Sequence, residues 1–182
     1  MLVNLQKRHA VPSATLTAFA QNLKRQLRLG SREFNICFVD DEAIRGLNFA
    51  YLGKDHATDV LSFPWTEAAG PLRSEPRLPS RRQEQGGITN FLGDVVISVE
   101  MARRNARDEG HSALNEIRWL ILHGVLHLLG YDHEKDSGQM ISLELALREQ
   151  LGVAGSPLGK GKSKVKTQKS KGKVQSRGRL NF

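Results

Sequence analysis

The chain of 182 residues contains a single cysteine, Cys37. One thiol cannot close an internal disulfide and cannot build a cysteine zinc site, so a reducing, cytoplasmic setting is expected. No run reaches the ~18 uninterrupted apolar residues that a membrane span requires, and no membrane association is expected. The opening Met1-Leu-Val-Asn-Leu-Gln-Lys-Arg8 lacks the charged-then-apolar order of a secretory signal. Acidic residues are missing from 1–32, a bias shared with organelle transit peptides, but the same residues also read as folded structure. They are missing again from 155–182, where nine basic residues stand unopposed. Nine of the 27 basic groups therefore lie in this tail, which leaves 18 basic against 19 acidic groups in residues 1–154. The +8 net charge is a property of an appendage on a nearly neutral body.

What remains is the composition of one soluble globular domain, 39% apolar and 25% charged, over residues 1–154. Leu2 to Arg8 alternates weakly and predicts a short strand. Ser13 is placed to cap a helix to Leu29, with Leu16, Phe19, Leu23 and Leu27 on one stripe. Glu33 to Asp40 predicts a strand with Phe34, Ile36 and Phe38 on one face and Cys37 and Val39 on the other. Asp41 follows as the cap of a helix with Ile44, Leu47, Asn48 and Tyr51 on its apolar side. Val60 to Phe63 is a strand stopped by Pro64. Residues 66–92, with three prolines and little apolar content, predict a flexible insertion. A buried strand, Gly93 to Ser98, leads into helices over 99–109, 112–129 and from Asp136 to about Leu151. The tail 155–182, Lys alternating with small polar residues, predicts disorder. The expected fold class is α/β or α+β, about four strands in one sheet packed by about five helices.

The segment Leu122 to His133 carries the chemistry. On a helix, His123 and His127 project from one face a turn apart. Gly130 can end the helix in the left-handed conformation, and two further residues return His133 over the first two imidazoles. A buried helix carrying a single histidine usually hydrogen-bonds it locally. Two imidazoles at this spacing, with a third beyond the turn, instead predict one zinc ion held by His123, His127 and His133. Three neutral nitrogen ligands that leave a fourth position open are the catalytic form of such a site. The spacing is also that of metzincin proteases, but Gly124 stands where those enzymes carry the general-base glutamate. Gly124 is expected to leave room beside the metal. Met140 is better explained by packing with Ile141, Leu145 and Leu147 than as a Met-turn.

The run His123-Gly-Val-Leu-His-Leu-Leu-Gly-Tyr-Asp-His133 resembles the signature of the YbeY family of bacterial endoribonucleases. Lys54-Asp55 followed by Thr58-Asp-Val-Leu-Ser-Phe-Pro64 resembles a second family segment, and Leu92-Gly-Asp-Val-Val-Ile-Ser98 a third. The likeness spans about residues 33–151. It implies an α/β fold with zinc in a cleft, cleavage of single-stranded RNA, and a role in 16S ribosomal RNA maturation and ribosome quality control. The implied partners are the 16S precursor and the small ribosomal subunit, with no DNA expected. The chain departs from the family at Leu52, where many members carry an arginine. Lys54 or an arginine of the insertion would then have to stabilise phosphate charge.

Asp55, Asp59 and Asp94 are candidate carboxylate partners for the imidazoles, and equally turn or cap residues. Asp132 and Glu134 flank the third ligand and are expected to orient its loop. Lys54 and the tail residues Lys160, Lys162, Lys164 and Lys166 are candidate RNA contacts of the non-specific, salt-sensitive kind. Two rival functions are a ribosome assembly factor whose zinc is mainly structural, and a metalloprotease, which Gly124 disfavours.

Overall fold

A computed structural model describes residues 1–65, 90–132 and 137–153. The elements run β1 (Leu2–Asn4), α1 (Ser13–Gln26), β2 (Glu33–Val39), α2 (Asp41–Leu52), β3 (Val60–Pro64), β4 (Phe91–Ser98), α3 (Val99–Asp108), α4 (Ala113–Leu128) and α5 (Gln139–Gln150). One mixed sheet has the order β1-β2-β4-β3. β1 and β4 both pair parallel to β2, and β3 returns antiparallel to β4. Among the described residues, the expected α+β class with four strands and five helices is the one observed.

Central β4 must be apolar on both faces, and Val95, Val96 and Ile97 are all buried. Its two faces belong to different clusters. Val95 and Ile97 join Phe34, Ile36 and Phe38 under α4, with α1 and α5 contributing Leu16, Leu23, Met140 and Leu147. Val96 joins Val39 and Ile44, where α2 covers the other face. The sheet's edges are blunt: β1 has three residues, and β3 ends on Pro64, which has no N–H to offer a further strand.

Several boundaries differ from those the residues suggested. β1 stops at Asn4 because buried Gln6 turns its side chain to Asn4 and to the backbone of His9. Pro12, not Ser13, precedes the first turn of α1, and the helix ends at Gln26, with Arg28 at φ 51° closing it. Asp40, not Asp41, caps α2 by accepting from Ala43 N, which frees Asp41 to bind Ser98 and Arg104. Tyr51 is exposed, with its edge on Phe63. The insertion expected over 66–92 overlaps β4, which starts at Phe91 because Glu33 N already bonds Asn90 O. Residues 66–89 lie outside the described residues, as does the tail from 154. α5 opens at Gln139 behind Gly138, rather than at Asp136. Among the described residues no helix is long and apolar enough to cross a membrane.

Candidate metal centre and cleft

α4 lies on β3 and β4 and buries ten of its residues, so its orientation is fixed by the core. Gly124 makes the close approach possible. A Cβ there would sit 2.5 Å from Val95 Cγ1 and 3.1 Å from Ser62 Oγ. The expectation that Gly124 opens space beside the metal is therefore wrong: it faces the sheet, and its missing side chain lets the helix dock. Ser62 Oγ donates to Gly124 O at 3.1 Å and ties β3 to this turn of the helix.

With Gly124 against the sheet, His123 and His127 reach the rim of the helix and enter a cleft of about 480 Å³. Asp59, Ser62, Pro64, Tyr131 and Asp132 contribute to its walls. The two Nε2 atoms are 3.1 Å apart. His123 Nδ1 lies 3.0 Å from Glu144 Oε2 on α5. A carboxylate only accepts, so Nδ1 carries a hydrogen and Nε2, which faces His127, is the ring atom left to bind a metal. Two nitrogens on one tetrahedral zinc at ~2.0–2.1 Å stand about 3.3 Å apart, close to the observed separation. The donor set fits such an ion.

Glu144 is 8% exposed. Burial alone would push its carboxyl up, but hydrogen bonds from His123 and Trp119, with the charge of Arg148, outweigh that and hold it below the ordinary range. An ionised acceptor at Nδ1 is what keeps a ligating imidazole oriented and electron-rich.

Gly130, at φ 89°, ends α4, and Tyr131 N returns to Leu126 O at 3.1 Å. The chain thus reverses over the helix end, and Tyr131 and Asp132 reach the cleft. His133 and Glu134 lie outside the described residues. Among the described residues, no three His, Cys, Asp or Glu side chains form a metal-holding group; His123 and His127 are the two brought together.

The aspartates do other work. Asp55 holds Arg45 at 2.6 and 3.0 Å on the surface. Asp94 accepts from Asn35 at 2.8 Å across the sheet. Asp59 does line the cleft, but its oxygens accept from Thr58, Val60 N and Asn105. Lys54 is exposed and does not line the cleft, whereas Leu52 does. The carboxylate on His123 is Glu144, which sequence reasoning missed. Its signal was present: Met140, Glu144 and Leu147 form the buried stripe of α5, and an acid on such a stripe requires a polar partner.

The family model described as Endoribonuclease YbeY matches residues 2–152. Among curated relatives of that name, one from Nautilia profundicola is 41% identical over 128 residues, 70% of this chain and 78% of the relative. Another, from Aquifex aeolicus, is 42% identical over 135 residues, 74% of this chain and 78% of the relative. A solution structure from Thermotoga maritima covers 88% of this chain and 100% of its own, at a TM-score of 0.54 and 23% identity, a likeness of fold alone. Residues 2–152 take in every described strand and helix together with both clefted histidines, and over that length the chain belongs to the YbeY endoribonuclease family.

Proposed function

We propose that this chain is a zinc-dependent endoribonuclease specific for single strands, acting in 16S rRNA 3′-end maturation and ribosome quality control in the cytoplasm. Its relatives bear the name endoribonuclease. The observation that carries the metal part of the reading is the approach of the His123 and His127 Nε2 atoms to 3.1 Å in an open cleft. His133 is the third ligand in this proposal. When bound, zinc supplies a Lewis acid beside the phosphoryl group.

The chain's own residues do the rest. Glu144 keeps the proton of His123 on Nδ1 and fixes the ring plane. Ser62, held to Gly124 O, keeps the β3 wall against the ligand helix. A cleft of about 480 Å³ is a small-molecule-sized recess, suited to an unpaired nucleotide and too small for a base-paired helix. The tail's nine basic residues, Lys160, Lys162, Lys164 and Lys166 among them, add sequence-independent attraction to RNA phosphates. Leu52 brings no charge to the cleft, and this favours a second reading, an assembly factor with mainly structural zinc.

Incubation of the full chain with a 16S precursor fragment, free or annealed to its complement, tests the proposal. Cuts in the free strand and none in the duplex are expected; an uncut free strand would favour the assembly reading.

A further inference from the structure

A second cavity, of about 540 Å³, opens against α3 and the turn into α4. Its walls include His9, Glu100, Arg103, Arg104, Arg107 and His111. α3 buries Val99, Ala102 and Ala106. Helical periodicity then turns Arg103, Arg104 and Arg107 away from the core together.

These groups are not equally committed. Arg104 is bound to Asp41 at 2.5 Å. Glu100, the one acid in the wall, accepts from Arg8 at 2.9 Å and from Asp41 N at 3.0 Å. Arg103 and Arg107 are exposed, and among the described residues neither has an ion pair. His111 Nδ1 lies 3.2 Å from Ser112 O, and its Nε2 stands 3.1 Å from Oε2 of fully buried Glu116. The cavity therefore has an imidazole in its wall and, among the described residues, two guanidinium forks without an ion pair. Such forks match phosphate oxygens in geometry as well as charge.

The metal cleft has the opposite character. Among its described lining residues there is no lysine or arginine. Those described residues offer no cationic side chain to balance the phosphates on either side of the reacting one. α3, which lines this cavity, is tied to the metal cleft by a hydrogen bond. Asn105 of α3 donates to Asp59 of the cleft at 3.1 Å. Glu116 and His123 are seven residues apart on α4, on one stripe and about 10.5 Å apart along the axis.

We propose that the α3 cavity binds the phosphodiester backbone of the RNA strand that flanks the metal cleft, with Arg103 and Arg107 as its phosphate contacts. This rests on the endoribonuclease reading above. Contacts of this kind set the register of the strand and carry no base preference.

The test is the affinity of the full chain for a fluorescein-labelled single-stranded oligouridylate, with chelator present, as a function of salt. Arg103→Ala/Arg107→Ala should bind about tenfold more weakly, with a salt slope shallower by ~1.4, or ~0.7 for each lost contact. Arg103→Lys/Arg107→Lys should recover most of the slope. Arg25→Ala/Arg32→Ala, on exposed residues at the two ends of the α1–β2 connection, makes the same charge change elsewhere and should move both quantities much less. Thermal melting of each variant separates misfolding from lost contact, since all four residues are exposed. Equal losses in the α3 and control variants would overturn the inference. So would RNA binding that survives in the α3 variant while affinity for an oligoglutamate peptide is lost. If the α3 variant binds like wild type and wild type still cuts RNA, only this inference falls. If wild type neither binds nor cuts RNA, the endoribonuclease reading falls with it.

Discussion

His123 Nδ1 and Glu144 Oε2 lie 3.0 Å apart, joining α4 to α5 across 21 positions of sequence. The other carboxylate oxygen accepts from Trp119 Nε1, and the Arg148 guanidinium, 4.9 Å over the Trp119 ring, lies 3.9 Å from it. Both oxygens are therefore engaged, and the carboxylate cannot rotate away from the imidazole without breaking a second bond. The docking of α5 and the aim of a metal-ligand candidate are one structural event.

Replacing this acceptor should loosen the metal before it loosens the fold. Glu144→Gln keeps the shape and one carbonyl acceptor but loses the charge. A fall in zinc affinity of about 10- to 100-fold is expected, the usual effect of removing a ligand's orienting partner. Competition with a chromophoric chelator measures it. Unchanged affinity, with the variant folded, would mean that Glu144 only seals the α4–α5 contact.

Gly124 should not tolerate a side chain. A Cβ at 2.5 Å from Val95 Cγ1 exceeds what a methyl group on a central strand can absorb. Alanine improves helix propensity by about 1 kcal/mol over glycine, yet overpacking of this kind costs about 1–3 kcal/mol or more. Gly124→Ala is expected to lower stability in urea denaturation, and Gly124→Glu to prevent folding rather than place an acid beside the metal. An alanine variant more stable than wild type would show that helix and sheet can part there freely.

Glu116 links stability to pH. Burial raises its carboxyl to about 7, against the pull of His111 and Asn105 and with Asp59 and Glu109 adding to the rise; its ordinary value is 4.5. Between these values the folded chain holds a proton that the unfolded chain has released. The contribution is full below 4.5, declines as pH rises, and is lost above about 7. Glu116→Gln has no such proton to lose. Its stability relative to wild type should therefore rise by roughly 1–3 kcal/mol from pH 5 to pH 8. Urea midpoints at the two pH values decide it, and a pH-independent difference would contradict the buried carboxyl's role.

The parts of this protein that were legible in its residues are those encoded by local periodicity. The alternation in Glu33–Val39 divides Phe34, Ile36 and Phe38 from Cys37 and Val39 as the two clusters do, and the nearly all-apolar run around His123 marks a central helix. Caps were harder. Asp40 and Asp41 are adjacent and chemically equal, and only the presence of Ser98 and Arg104 in space assigns them different tasks. The imidazole pair was legible because four residues make one helical turn. Glu144 was not, because its partner sits on another helix and no local rule relates the two. Gly124 was misread for a related reason. Its neighbour His123 faces the cleft, but one residue on, the helix has turned towards Val95.

Metal-dependent cleavage tests the central claim most directly. Wild type, His123→Ala and His127→Ala would be stripped with chelator, then assayed on a single-stranded 16S precursor fragment before and after zinc is restored, with bound zinc counted in each. Wild type should regain one zinc per chain together with cleavage, and the two variants should regain neither. Cleavage that persists in stripped wild type, or is restored equally in both variants, would contradict a zinc-dependent site built on His123 and His127.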